Sequence, residues 1–259
     1  MNKIGEYKYM RVKTNISWID DLLPEGIEKN KSILISGPGG TGKPLVELAF
    51  VYAWLKAGGS VVGIPLQYPS FEMLDEVMLK LYHLDVKTYK EQIAYIQFNP
   101  MIQNIEVLTR NVISANLVYP TIWNQAIEQA VSMVKKSELG TLVFGSALNL
   151  LFFSPKYKNE TLENLVRTLK DDKKMTYLFT TSTSVFSEEI QTLEDNVDYL
   201  MLTRIEKPKK LYFKVIRANH DVFMNHEVLV PIKEKILDEI SRIAKETRQK
   251  RVKEIEDVE

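Results

Sequence analysis

Lys31–Phe50 reads KSILISGPGGTGKPLVELAF. Its opening, KSILISG, is a short apolar run closing on glycine, as a strand buried inside a parallel sheet would. Gly37, Gly42 and Lys43 then fit G-x-x-x-x-G-K, and a stretch with helical spacing runs on to a stop at Gly58-Gly59. In this setting of strand, glycine-rich turn, lysine and helix the pattern makes a phosphate cradle. Glycines let backbone N–H groups turn inward, the helix N-terminus adds its dipole, and the lysine brings a charge to the outer phosphates. Phosphate or nucleotide contact is therefore expected at Gly37, Gly39, Gly40, Thr41, Gly42, Lys43, Pro44 and Leu45. One letter departs from the pattern. Where Ser or Thr should follow the lysine stands Pro44, which has neither a hydroxyl for Mg²⁺ nor a backbone N–H. The first turn of a helix tolerates proline, so the departure touches chemistry rather than fold. A lost hydrogen bond to a charged group is worth roughly 1.5–3 kcal/mol, which weakens binding without abolishing it.

Outward from this segment, strands and helices alternate. Ser60–Leu66, Ile93–Pro100, Gly140–Ala147 and Met175–Thr183 read as further buried strands. Ser70–Leu84, Thr121–Leu139 and Asn159–Lys174 read as helices between them. Such alternation predicts a parallel sheet covered on both faces, with ligands at the carboxyl ends of its strands. After Leu193 the pattern changes to meander strands around Asp198–Glu206, Lys209–Asn219 and Glu227–Ile232. The domain is expected to span residues 1–232, with 233–259 forming a charged helix whose Ile236, Ile240, Ile243 and Thr247 share one face. Asp238–Arg242 and Glu246–Lys250 are its expected i,i+4 pairs. Asn99–Thr121 is longer than an ordinary loop and partly apolar, and reads as a lid or interaction segment.

The 259 residues hold 34 basic and 34 acidic side chains, so the chain lacks the overall positive field that would capture nucleic acid unaided. Without cysteine it can form no disulfide or thiolate metal site. His83, His220 and His226 fit no common zinc spacing, and no metal site is expected. The longest apolar stretch, Leu142–Phe153, is too short to span a bilayer; a cytoplasmic protein with no membrane partner is expected. Tyr89, Tyr95, Phe98, Tyr119 and Trp123 could form a base-stacking platform, but aromatics at such spacing are more often core.

The stretch TNISWIDDLLPEGIEKNKSILISGPGGTGKP, with Ile16, Asp20, Leu22, Leu23, Gly26 and Ile27, resembles the opening of the RecA/RadA/KaiC group of P-loop ATPases in its archaeal KaiC-like branch. VIRANHDVFMNHEVLVPI is similar to that group's ending, so the resemblance runs from about Thr14 to Ile232. It implies a RecA-like α/β fold with late antiparallel strands and a C-terminal helix, and ATP or another nucleotide as ligand. It also implies a homo-oligomer whose sheet edge accepts a peptide or protein segment by strand addition.

The resemblance breaks at the catalytic letters. Gln67 and Tyr68 stand where a water-activating carboxylate is expected, and glutamine cannot take a proton. Gly145 stands where the Walker B aspartate that anchors Mg²⁺ is expected, next to a matching Ser146. Arg217 matches one member of a basic pair that reaches a neighbouring subunit's phosphates, while Val215 takes the place of the other. Together with Pro44, these departures imply a degenerate P-loop protein. It would hold nucleotide weakly, without protein ligands for Mg²⁺ and without efficient hydrolysis, and act as a binding or assembly module. The alternative is a slow Mg²⁺-dependent ATPase acting with DNA, and a nucleic-acid partner is left open.

Overall fold

The computed structural model describes residues 10–66, 68, 71–207, 209–219 and 221–258. Gln67 and His220 lie outside the described residues. A small antiparallel pair, β1 (Arg11–Val12) and β2 (Ile27–Glu28), brackets the short helix α1 (Ser17–Asp20). The body of the protein is a ten-stranded sheet. Its parallel centre comprises β3 (Ser32–Ser36), β4 (Ser60–Ile64), β5 (Ile93–Phe98), β7 (Val112–Ala115), β8 (Thr141–Gly145), β9 (Thr176–Thr180) and β10 (Tyr199–Glu206). β6 (Glu106–Thr109) closes one edge antiparallel to β7, and β11 (Lys210–Ala218) and β12 (Glu227–Leu229) close the other. The spatial order is β12-β11-β10-β3-β9-β8-β4-β5-β7-β6. This is the α/β, mainly parallel arrangement that the alternation of elements implied.

Asn99–Thr121 is not the long loop the sequence suggested. It folds into the β6–β7 hairpin, and β7 is fully buried and pairs in parallel with β5. Four residues such as VISA carry too little periodicity to announce a strand, and only the neighbouring β5 gives them a ladder to join.

Helices cover both faces. α2 (Lys43–Lys56) and α3 (Phe71–Tyr82) pack on one face over Ile33, Ile35, Leu142 and Phe144. α4 (Pro120–Met133), α5 (Lys158–Asp171) and α6 (Ser187–Asp195) pack on the other over Leu34, Val143 and Phe179. Side chains alternate across a strand, so successive β8 residues serve opposite layers. Tyr95, Phe98 and Trp123 are buried among these layers, and Tyr89 and Tyr119 are partly buried against them.

The final helix, α7 (Glu234–Glu256), crosses from one layer to the other. Leu237 and Ile240 belong to the core on the α2 side, whereas Ile255, near its far end, belongs to the core on the α4 side. The buried stripe is Leu237, Ile240, Ala244 and Thr247, with Ile236 and Ile243 only half-buried. The stripe is turned from its expected position because Leu237 packs on the glycine-rich loop. The ion pairs shift register too: Arg242 pairs with Glu246 and Lys250 with Glu254, while Asp238 takes Lys209 from the β10–β11 turn.

Candidate functional site

The glycine-rich loop leaves β3 at its carboxyl end, and its conformation is written by glycine. At Gly37, φ is +140°, and a Cβ there would meet the Thr203 carbonyl oxygen at 2.4 Å, so only glycine fits. Gly42 caps α2 in the left-handed region at φ +66°. Thr41 Oγ1 donates to the Pro38 carbonyl at 2.9 Å and lies 2.8 Å from Thr203 Oγ1, pinning the loop to β10. Pro44 sits in the first turn of α2, where its missing N–H costs the helix nothing.

Lys43 is only 5% exposed and folds back over the loop. Its Nζ donates to the carbonyls of Gly37 (2.9 Å) and Pro38 (2.6 Å) and to Thr41 Oγ1 (3.1 Å). Burial brings its pKa down to about 7, because the ammonium is removed from water with no carboxylate beside it. Gly39 N–H donates to Ser184 Oγ at 2.9 Å. The loop thus satisfies its own polar groups, and an arriving anion would take over donors now turned to carbonyl and hydroxyl oxygens.

A cavity of about 480 Å³ opens over the loop. Residues 39–44 line it, whereas Gly37 and Leu45 do not; Leu45 is buried in the core and its N–H donates to the Gly42 carbonyl. Segments following β8 and β9 contribute Asn149, Thr181 and Ser182, and Thr181 Oγ1 is buried with no hydrogen-bond partner. α7 forms the roof, presenting Lys245 and Arg248. The lining carries Lys43, Lys245 and Arg248 and, among the described residues, no carboxylate.

The other expected positions fall elsewhere. Gly145 ends β8, and a Cβ there would meet Ile64 Cβ at 3.2 Å and Phe179 Cδ1 at 3.4 Å. Both neighbours belong to the face opposite α2. The residue that faces the loop helix is Ser146, whose Oγ donates to Glu47 Oε2 at 2.5 Å. Glu47 was not singled out by motif. It sits one turn into α2, wholly buried, with Oε1 unpartnered. Desolvation raises its pKa to about 8, against the opposing effects of the Ser146 hydroxyl and the Gly145 backbone, so it is largely protonated at neutral pH. Its signal was present as the lone carboxylate inside the apolar run LVELAFVYAW. Tyr68 is also fully buried with an unpartnered hydroxyl, and burial first, then the neighbouring Glu47, pushes its pKa up. Arg217 donates to the Glu194 and Val197 carbonyls at the carboxyl end of α6, a favourable place for a cation, and Val215 is buried.

A parallel sheet with a glycine-rich loop and lysine between β3 and α2 defines a P-loop protein of the RecA-like class. The model of the KaiC ATPase family matches residues 12–217, and the chain belongs to that family, whose ligand is a nucleotide. The UPF0273 protein PH0284 of Pyrococcus horikoshii is 32% identical over 82 residues, which make up 32% of each chain, so the match spans about a third of that relative's length. Among solved structures, the KaiC-like protein PH0186 of Pyrococcus horikoshii OT3 has the same fold. The TM-score is 0.65 at 16% identity, covering 87% of this chain and 96% of that one. Among the described residues no helix is long and apolar enough to cross a membrane.

Proposed function

We propose that this chain is a nucleotide- or phosphate-holding member of the KaiC family that does not hydrolyse efficiently and serves as a protein-binding or assembly module. The observation that carries this reading is the chemistry of the cavity lining, three cations and several hydroxyls with no carboxylate among the described residues. Such a donor set suits phosphate oxygens, and it lacks the carboxylate that would anchor Mg²⁺. Pro44 contributes no hydroxyl, and the nearby Glu47 is neutral and sealed against Ser146. The test is calorimetry of ATP with and without Mg²⁺, alongside phosphate release, in the wild type and in Lys43→Ala. Binding that ignores Mg²⁺, disappears in Lys43→Ala and yields no phosphate is the expected result. Mg²⁺-dependent release would sink the reading.

For the partner, we propose a peptide or protein segment, including a second copy of this chain, added as a strand along β6. All four residues of β6 are exposed, with Val107 at 59% and Leu108 at 48%, and its outer edge pairs with nothing among the described residues. An open, apolar edge invites pairing. Val107→Pro and Leu108→Lys should each lower self-association in sedimentation equilibrium, and unchanged association would move the interface elsewhere. One observation favours the slow, Mg²⁺-dependent ATPase as a second reading, namely that Glu47 Oε1 has no partner and could be recruited on ionisation.

A further inference from the structure

α7 lies over the loop as a strap tied at both ends. Near its start, Lys80 of α3 reaches Glu239 at 3.4 Å, Asp238 pairs with Lys209, and Leu237 packs on the loop, where a Cβ on Gly42 would come within 3.0 Å of it. Near its end, Arg251 donates to the Phe98 carbonyl at 3.4 Å and stacks its guanidinium over the Phe98 ring, with Ile255 fully buried beyond it. Between these ties, Ile240, Ser241, Ala244, Lys245 and Arg248 face the cavity.

Two of these residues are cations in an unusual position. A carboxylate three or four places away would pair with either along the helix. The residues at those offsets are Ser241, Arg242, Ala244, Gln249, Arg251 and Val252, and the two cations themselves, none of them acidic. Among the described residues, no hydrogen bond or ion pair engages Lys245 or Arg248. On the outer side of the same helix Arg242 and Lys250 are paired, and Arg251, turned in on Phe98, is paired with Glu254. Across the cavity Thr181 lines the opposite wall, and its buried Oγ1 has no hydrogen-bond partner. Loop and strap therefore face each other with donors on both walls, a geometry that suits an anion with charge at two separated points. Arg217, the other candidate cation, is held by the Glu194 and Val197 carbonyls at the end of α6.

We infer that α7 completes the phosphate site within the same chain: the loop takes one end of a polyphosphate, and Lys245 and Arg248 take its outer phosphate. This deepens the proposed function and rests on it. The strap thereby selects polyphosphates, nucleoside-linked or inorganic, over monophosphates.

The experiment measures ATP, AMP and inorganic tripolyphosphate binding by calorimetry to the wild type and three variants. These are Lys245→Gln/Arg248→Gln, the control Lys235→Gln/Lys253→Gln with the same charge change on exposed residues outside the cavity, and Lys43→Ala. Thermal unfolding confirms that each variant is folded. A charge-assisted hydrogen bond lost at each cation should weaken ATP binding about tenfold or more while leaving AMP nearly unchanged. The control should match the wild type. Equal weakening of ATP and tripolyphosphate places the selection on the phosphates; weakening of ATP alone would mean that the strap reads the nucleoside, contrary to the inference. If Lys43→Ala loses ATP but Lys245→Gln/Arg248→Gln keeps the wild-type ATP-to-AMP ratio, the strap has no such role and the phosphate reading stands. If the wild type binds neither ATP nor tripolyphosphate, both fall together.

Discussion

Ser146 Oγ donates a 2.5 Å hydrogen bond to Glu47 Oε2, joining the end of β8 to the first turns of the loop helix. A carboxyl is thus delivered to the end of β8 by the helix that follows the loop, where it is neutral and wholly buried.

Glu47→Gln should change how stability depends on pH. The native carboxyl titrates at about 8 and the unfolded one near 4.5, the ordinary value of a free glutamate. Between those values the unfolded chain releases a proton that the native state keeps, so wild-type stability falls as pH rises through this window and then levels. The amide keeps the shape without titrating. Its advantage over the wild type should grow from pH 5 to pH 8, reaching roughly 4 kcal/mol in urea unfolding. Parallel pH profiles would mean that Glu47 is already ionised in the native protein.

Anion binding should weaken as pH rises above about 7. Lys43 must be protonated to attract phosphate, and in the empty site its pKa is down near 7. Above that value binding must also take up a proton, which costs up to about tenfold in affinity per pH unit until the pKa of the bound state is reached. Calorimetry in buffers of different ionisation enthalpy would show the uptake directly. No proton uptake at pH 8 would mean that phosphate and Lys43 do not meet.

Gly145→Asp should destabilise the protein without creating Mg²⁺-dependent hydrolysis. The new side chain would enter between Ile64 and Phe179, where even its Cβ is within 3.2 Å of Ile64 Cβ, on the face away from the loop helix. A carboxylate buried there without partners should cost on the order of 3 kcal/mol or more. Steady-state phosphate release with Mg²⁺ is the check, and a clear rise would place position 145 at the phosphates.

Gly42→Ala should loosen the strap. A Cβ would sit 3.0 Å from Leu237 Cδ2 and 3.2 Å from Leu211 Cδ2, on a backbone at φ +66°. The left-handed conformation alone costs roughly 1–2 kcal/mol for a non-glycine residue. Hydrogen exchange should quicken along α7 more than in α4 or α5. Uniform change would mean that Leu237 does not rely on the loop.

Much of the fold was legible because β3, the loop and α2 form one continuous local signal, and the alternation around them repeats it. The β6–β7 hairpin was hidden because Val112–Ala115 are strand-forming only beside β5. Glu47 was overlooked because motif spacing places carboxylates at strand ends, whereas a helix can deliver one to the same region from a different part of the chain.

By itself the sequence determined the α/β class, the place of the phosphate loop and the letters at 44, 67 and 145, since these depend on local backbone preference and residue chemistry. Tertiary structure decided that Gly145 faces away from α2, that Arg217 is spent on the end of α6, and that α7 lies across the loop with Lys245 and Arg248 lining the cavity. Which face a residue presents depends on the layer packed against it, and α7's rotation is set by Leu237, Ile240 and Ala244 meeting surfaces distant in the chain.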